Sequence, residues 1–255
     1  MASDTTLLLA AHGSSRPDEN NPVRLLADRL KAQGPFKTVR CGFLKEPPFL
    51  TDVLFDIQTP YLSVVPVLTS RGFITDELIP KTLEATPHST RVRLFPPLGT
   101  HQGIPEIMAE RALQVIEDHQ LERSLTSVLI AAHGNTKNPE NARQTKMLAS
   151  QIEAFLGPIH VHAAFIEETP LISDWHRVID SENLIILPFL IGGGLHGAED
   201  VPAMLGLDPE DTALDRLCDD MPSIGPLIAM DRKLWYCRAL GYEPNLIKII
   251  GDLVK

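Results

Sequence analysis

The sequence predicts an α/β protein of two tandem, similar domains, each a mostly parallel sheet flanked by helices, facing one another across a cleft. Three observations predict it. The stretch "LLLAAHGSS" at 7–15 returns as "VLIAAHGNT" at 128–136. Two further blocks repeat in the same order. Each half also alternates short, continuous apolar runs with segments of helical spacing, the pattern of parallel strands buried on both faces.

The repeat is established by counting. Setting "RCGFLKEPPFL" (40–50) on "HAAFIEETPLI" (162–172) matches Phe43 to Phe165, Glu46 to Glu168 and Pro48 to Pro170 at an offset of 122. The same offset lays "VPVLTSRGFITDELIP" (65–80) on "LPFLIGGGLHGAEDVP" (187–202), matching Pro66 to Pro188 and Pro80 to Pro202. The two His-Gly pairs differ by 121, so one residue was gained or lost between blocks. The junction falls in the polar run "DHQLERSLTS" (118–127), which divides the chain into domains 1–123 and 124–255.

Taken in order, "TTLLLAA" reads as a buried strand, and "NPVRLLADRLKAQG" as a helix with Gly34 near its end. "TVRCGFL" and "YLSVVPVL" are strands separated by a helix beginning near Pro48. "DELIPKTLEA" is helical, "RVRLF" is a fourth strand, and "GIPEIMAERALQVIEDHQ" is a long closing helix. The second half follows this order to about residue 205 and then diverges. There Trp235 is expected to pack in a C-terminal helix, and Trp175 is likewise a packing residue.

Bulk properties limit the partners. A chain of 255 residues can bury a sizeable core, and 44% hydrophobic with 22% charged residues is ordinary for a globular protein. The formal net charge of −10 argues against a nucleic-acid partner, which would need a basic face. No apolar run reaches the ~20 residues that span a bilayer, and "MASDTT" lacks the basic start of a signal peptide. A cytoplasmic protein without a membrane partner is expected. Cys41, Cys218 and Cys237 are far apart and read as reduced thiols.

In open parallel sheets, ligands bind beyond the carboxyl ends of the strands. His12 and His133 follow the first strand of each half, and Glu46 and Glu168 follow the second. Ile74 and His196 lie in the loop after the third. The halves differ in this last loop, where Gly192, Gly193 and Gly194 align with Ser70, Arg71 and Gly72, and His196 aligns with Ile74. Glycines let backbone approach a flat ligand. Two neutral imidazoles with a nearby carboxylate suit a divalent first-row metal. The second half is therefore expected to be the working one.

An apolar strand ending in His-Gly and a small polar residue, then "FIEETP", then "GGGLHGAEDVP", resembles the sirohydrochlorin chelatase family, the class II tetrapyrrole chelatases. The resemblance covers nearly the whole chain as two chelatase-like halves. It implies insertion of Co²⁺ or Fe²⁺ into sirohydrochlorin or a related tetrapyrrole, for cobalamin or siroheme synthesis. It implies neither ATP nor a tightly held cofactor, the metal being a substrate. By position, His133 and His196 become the metal-binding and catalytic histidines, and Glu168, with Glu167 beside it, the carboxylate. Gly192, Gly193, Gly194, His12, Lys137 and Glu199 become substrate-binding candidates. Two-domain members are expected to carry the working histidines in the first half; here the pair stands in the second.

Some alternatives stay open on the sequence. Glu168 reads either as ligand and proton acceptor or as a cap for the helix that follows. His160 and His162 share one strand face and read as metal ligands or as edge residues. His101 reads as a substrate contact or as surface. Arg16, Arg71, Lys137 and Arg143 are candidate partners for the carboxylates of the ring. A non-catalytic tetrapyrrole or metal carrier with the same fold is the second functional reading. Either a monomer or a homodimer is compatible with the duplication.

Overall fold

The computed structural model describes residues 4–14, 21–34, 36, 38–84, 89–192, 196–208 and 214–255, with the side chains of 196, 198 and 215 left aside. Arg16, Gly193, Gly194 and the His196 side chain thus lie outside the described residues. The chain forms two compact units, Met1–His101 with Pro244–Lys255, and Gln102–Glu243.

The first unit holds strands β1 (Thr5–Ala11), β2 (Thr38–Phe43), β3 (Tyr61–Pro66) and β4 (Arg91–Leu94). They form an all-parallel sheet in the order β2-β1-β3-β4. Between the strands lie helices α1 (Pro22–Gln33), α2 (Leu50–Phe55) and α3 (Ile79–Leu83). Helix α1 starts where Asn21 accepts the Val23 N–H and Pro22 supplies a preset φ; its last turn ends at Gly34. Side chains alternate along β1. Leu8 and Ala10 pack with Leu50, Leu54 and Ile79 from α2 and α3, whereas the buried Leu7 and Leu9 point to the other face.

The second unit repeats this plan with one addition. Strands β5 (Thr126–Ala132), β6 (His160–Phe165), β7 (Asn183–Pro188), β8 (Ser223–Ala229) and β9 (Arg232–Cys237) are ordered β6-β5-β7-β9-β8. Helices α5 (Glu140–Leu156), α6 (Trp175–Val178) and α7 (Val201–Met204) match α1 to α3. Strand β9 pairs parallel to β7 as β4 does to β3, and β8 adds an antiparallel edge through a tight turn at Met230 and Asp231. Trp235 therefore lies in β9 and not in a C-terminal helix; it is buried, as is Trp175 in α6.

The compact units do not follow the sequence repeat. Helix α4 (Ile104–Asp118), the expected closing helix of the first half, packs against α5 and β7. Helix α8 (Leu246–Leu253), at the end of the second half, packs beside α1. Each of these helices buries its apolar stripe on the unit opposite to its own half of the repeat. Within the second unit, α4 is fastened by a two-point ion pair, Arg111 to Glu243, at 2.9 and 3.0 Å. The cysteines Cys41, Cys218 and Cys237 are all free. Among the described residues, no helix is long and apolar enough to cross a membrane.

Candidate active site at the carboxyl edge of the second sheet

Chain order reverses between β5 and β7. The chain leaves β5 for β6 on one side and returns to β7 on the other, and such a switch in strand order is where open α/β sheets bind ligands, beyond the carboxyl ends of the strands. His133 follows β5 directly. A π-helical turn, His196–Asp200, follows β7. Glu167 and Glu168 follow β6. The first sheet repeats the arrangement with His12 after β1, Ile74–Leu78 in a matching π-helical turn after β3, and Lys45 and Glu46 after β2.

The His-Gly turn is built alike in both halves. Gly13 and Gly134 have φ of +76° and +77°, a left-handed conformation that glycine adopts without strain. A Cβ on Gly134 would stand 2.9 Å from both Glu168 Cγ and Phe165 Cβ, and one on Gly13 would meet Glu46 Cγ at 2.8 Å. The glutamate that crowds the glycine also holds the loop. Glu168 Oε1 accepts the Asn135 N–H at 2.6 Å, and Glu46 Oε1 accepts the Ser14 N–H at 3.2 Å. Glu46 is buried and further held by Asn21 at 2.8 Å and Arg24 at 3.1 Å.

The imidazoles are oriented by this turn. His133 Nδ1 lies 3.0 Å from the Gly134 carbonyl, and His12 Nδ1 lies 3.0 Å from the Gly13 carbonyl. A carbonyl can only accept, so Nδ1 carries the proton and the neutral ring's lone pair is on Nε2, the tautomer suited to a metal. The sheet ladder extends past the strand ends to bring the next loop close. Glu167 N donates to the His133 carbonyl at 3.0 Å, as Lys45 N does to His12 at 2.9 Å. Glu167 Oε2 thereby comes within 3.7 Å of His133 Nδ1, with both side chains partly open to solvent.

The second carboxylate, one residue on, is the one spent on the backbone. Sequence matching singled out Glu168 because Glu46 aligns with it. The geometry accounts for that match, since both brace the same turn. Glu167 has a different counterpart, Lys45, and nothing in the alignment of acidic residues drew attention to it. The signal was the charge reversal between halves.

The remaining candidates are distributed as follows. Lys137 is exposed, and its N–H caps the Asn135 side chain at 2.9 Å. Arg143 makes a two-point pair with Glu140 at 2.6 and 2.8 Å, and Arg71 lies 3.7 Å from Asp76 in the first unit. Glu199 is exposed in the π-helical turn, and the partly buried Gly192 precedes it. His160 and His162 stand on the edge strand β6, away from the carboxyl-end loops. His101 is partly buried after a 3₁₀ turn, Leu98–Thr100, in the first unit. No cluster of three or more His, Cys, Asp or Glu side chains suited to a metal occurs among the described residues, which exclude the His196 side chain.

The sequence signature of the CbiX family matches residues 6–115 and again 127–255. The chain belongs to the CbiX family. Its two matches coincide with the two repeats. A Halobacterium salinarum relative of this family member, named a probable sirohydrochlorin cobaltochelatase, is 27% identical, covering 96% of this chain and 88% of its own. A Methanopyrus kandleri sirohydrochlorin cobaltochelatase is 23% identical over 51% of this chain and 96% of its own length. It is thus the size of one half.

Solved structures share the fold. CbiX, described as the terminal enzyme of siroheme biosynthesis in denitrifying bacteria, superposes with a TM-score of 0.73 at 21% identity, covering 98% of this chain and 97% of its own. SirB from Bacillus subtilis with Fe³⁺ gives 0.71 at 15% identity, with 98% and 94% coverage. A multi-domain Deinococcus radiodurans protein with structural similarity to chelatases gives 0.74 at 21% identity. The match covers 98% of this chain and 54% of that one, so this chain spans about half its length.

Proposed function

We propose that this CbiX-family chain inserts a divalent metal, Co²⁺ or Fe²⁺, into sirohydrochlorin or a related tetrapyrrole, without ATP, at the carboxyl edge of the second sheet. The pairing that carries this reading is His133 with Glu167, 3.7 Å apart, with the turn that begins at His196 following the neighbouring strand β7. At the same three places the first half has His12, Lys45 and Ile74. Two of the three donors are missing there, and one is replaced by a cation that repels M²⁺. The relatives named cobaltochelatases support the reaction class.

Insertion exchanges two ring N–H protons for one M²⁺, so the site must deliver a cation and remove two protons. His133 offers Nε2 as a neutral ligand and, after metal transfer, as a proton acceptor. Glu167 supplies the negative charge that draws M²⁺ to the rim and a second proton acceptor. His196 completes the donor set from the opposite strand loop. Glu168 takes no proton in this scheme; it keeps the His133 turn in shape. Gly192, Gly193 and Gly194 let the backbone approach the flat ring, and Lys137 and Glu199 flank it, Lys137 toward the ring's carboxylates. His12, at the matching place on the first half's own rim, is the substrate-contact candidate of that half and binds no metal.

The protein works in the cytoplasm, as a monomer or homodimer, with no nucleic-acid or membrane partner. The test is anaerobic absorption spectroscopy of sirohydrochlorin with Co²⁺ or Fe²⁺. The wild-type chain accelerates the spectral change over the protein-free reaction, and His196→Ala loses the acceleration. A wild-type rate equal to the protein-free rate, with ring binding alone, would make the chain a carrier.

A further inference from the structure

The π-helical turns after β3 and β7 are matched in length and position, yet they are held by different devices. In the first unit the fastening is local. Thr75 Oγ1 donates to the Gly72 carbonyl at 2.9 Å and accepts the Gly72 N–H at 2.9 Å. The residue matching Thr75 in the second unit is Gly197, which has no side chain to do this. A Cβ there would lie 3.2 Å from the Gly192 carbonyl oxygen, so the glycine keeps the turn close against the residues that lead into it.

What replaces the threonine comes from another strand. Tyr236 Oη, in β9, donates to the Gly197 carbonyl at 2.6 Å in a fully buried hydrogen bond. Burial pushes the phenol well above its ordinary range, so it remains a donor at any working pH. The strand registers pair Ile186 with Tyr236 and Val64 with Leu94, so Leu94 is the first-half counterpart of Tyr236. The half with Ile74 thus has leucine, and the half with His196 has the tyrosine. The hydroxyl is present only where a histidine heads the turn.

We propose that Tyr236 is a positioning residue for His196: its hydroxyl fixes the Gly197 peptide, and through it the backbone from which His196 reaches the metal. The inference rests on the reading of His196 as a metal ligand. Tyr236 touches neither metal nor ring. A hydrogen bond buried beside a ligand sets where the ligand stands, and losing such an outer partner typically costs roughly 10- to 100-fold in metal affinity or activity.

The experiment titrates the full-length protein with Co²⁺ alone and reads the visible d–d absorption, then measures KM for Co²⁺ and kcat in the insertion assay. Wild type, Tyr236→Phe and His196→Ala are compared. Tyr236→Phe keeps the ring that packs in the core and removes only the hydroxyl. The expected result is a roughly 10-fold or greater rise in the Co²⁺ dissociation constant and KM, with altered d–d bands. His196→Ala loses binding further. If Tyr236→Phe melts at a lower temperature but keeps the wild-type Co²⁺ affinity, bands and KM while His196→Ala does not, the positioning role is overturned and the site reading stands. If His196→Ala also matches wild type, the site reading falls and this inference with it. Should Tyr236→Phe fail to fold, the ¹³Cζ resonance of Tyr236 in the wild-type protein on binding diamagnetic Zn²⁺ decides. A shift supports the coupling, and an unchanged resonance on a protein that binds Zn²⁺ overturns it.

Discussion

Glu168 accepts the backbone N–H of Asn135 at 2.6 Å. This single bond separates the two adjacent carboxylates of the second half. Glu168 closes the His-Gly turn, as Glu46 does through Ser14 in the first half. Glu167 instead points an oxygen to within 3.7 Å of His133 Nδ1.

Substituting the two glutamates separates their roles. Glu167→Gln removes the negative charge but touches no fastening, so stability should stay within about 0.5 kcal/mol of wild type. Its insertion rate should fall at least ~10-fold, with a higher KM for metal. Glu168→Ala leaves the Asn135 N–H without its acceptor and should cost about 1–3 kcal/mol in chemical denaturation. Glu168→Gln, which still presents an oxygen, should recover most of that loss.

Gly134 is a second point where shape is demanding. At φ +77°, with Glu168 and Phe165 each 2.9 Å from where a Cβ would stand, alanine is strained and crowded at once. Gly134→Ala should destabilise by roughly 2 kcal/mol and displace His133 enough to suppress insertion. Gly13→Ala should carry a similar stability cost, because that turn is built the same way.

Much of this was legible in the sequence. The repeat, at offset 121 for the His-Gly turns and 122 for the matched glutamates and the two third-strand loops, placed all of them on equivalent strand ends. The first-half elements follow apolar periodicity closely, because parallel strands buried on both faces leave continuous apolar runs. The β8–β9 hairpin was not legible. Its turn residues, Met230 and Asp231, both have positive φ without the usual glycine or asparagine. The following "LWYC" carries no alternation, because all four residues are buried, and it reads equally as helix. Nor does the sequence announce that α4 and α8 pack on the unit opposite to their own repeat. A match between halves records shared architecture, which Glu46 and Glu168 show by bracing the same turn. The halves disagree at Glu167 against Lys45 and at His196 against Ile74, and the proposed chemistry rests on those two places.

The first unit contains its own buried charge, with Glu46 paired to the partly exposed Arg24 at 3.1 Å. Removing the cation leaves a buried carboxylate with only neutral partners. Arg24→Ala should therefore lower stability by about 2 kcal/mol, less than for a wholly buried pair. Insertion activity per folded molecule should be unchanged, which equilibrium denaturation alongside the rate assay would reveal.

His162 provides a pH dependence. Burial in β6, and then the charge of His160, hold its pKa below the usual 6.5, with Glu153 opposing them. The unfolded chain consequently takes up this proton first as the pH falls. His162 contributes no penalty above about pH 6.5 and destabilises progressively as pH drops through the ordinary histidine pKa toward its lower folded value. His162→Asn should flatten the acid side of a plot of unfolding free energy against pH, starting below about pH 6.5. A curve identical to wild type would remove His162 from the account.

The most direct measurement asks which half does the chemistry by giving the second half the side chains of the first. The variant Glu167→Lys with His196→Ile is assayed for anaerobic Co²⁺ insertion into sirohydrochlorin, with circular dichroism to establish that it folds. The account predicts a folded protein whose rate falls to that of the protein-free reaction. A folded variant that keeps the wild-type rate would contradict it, and would move the chemistry out of the second half.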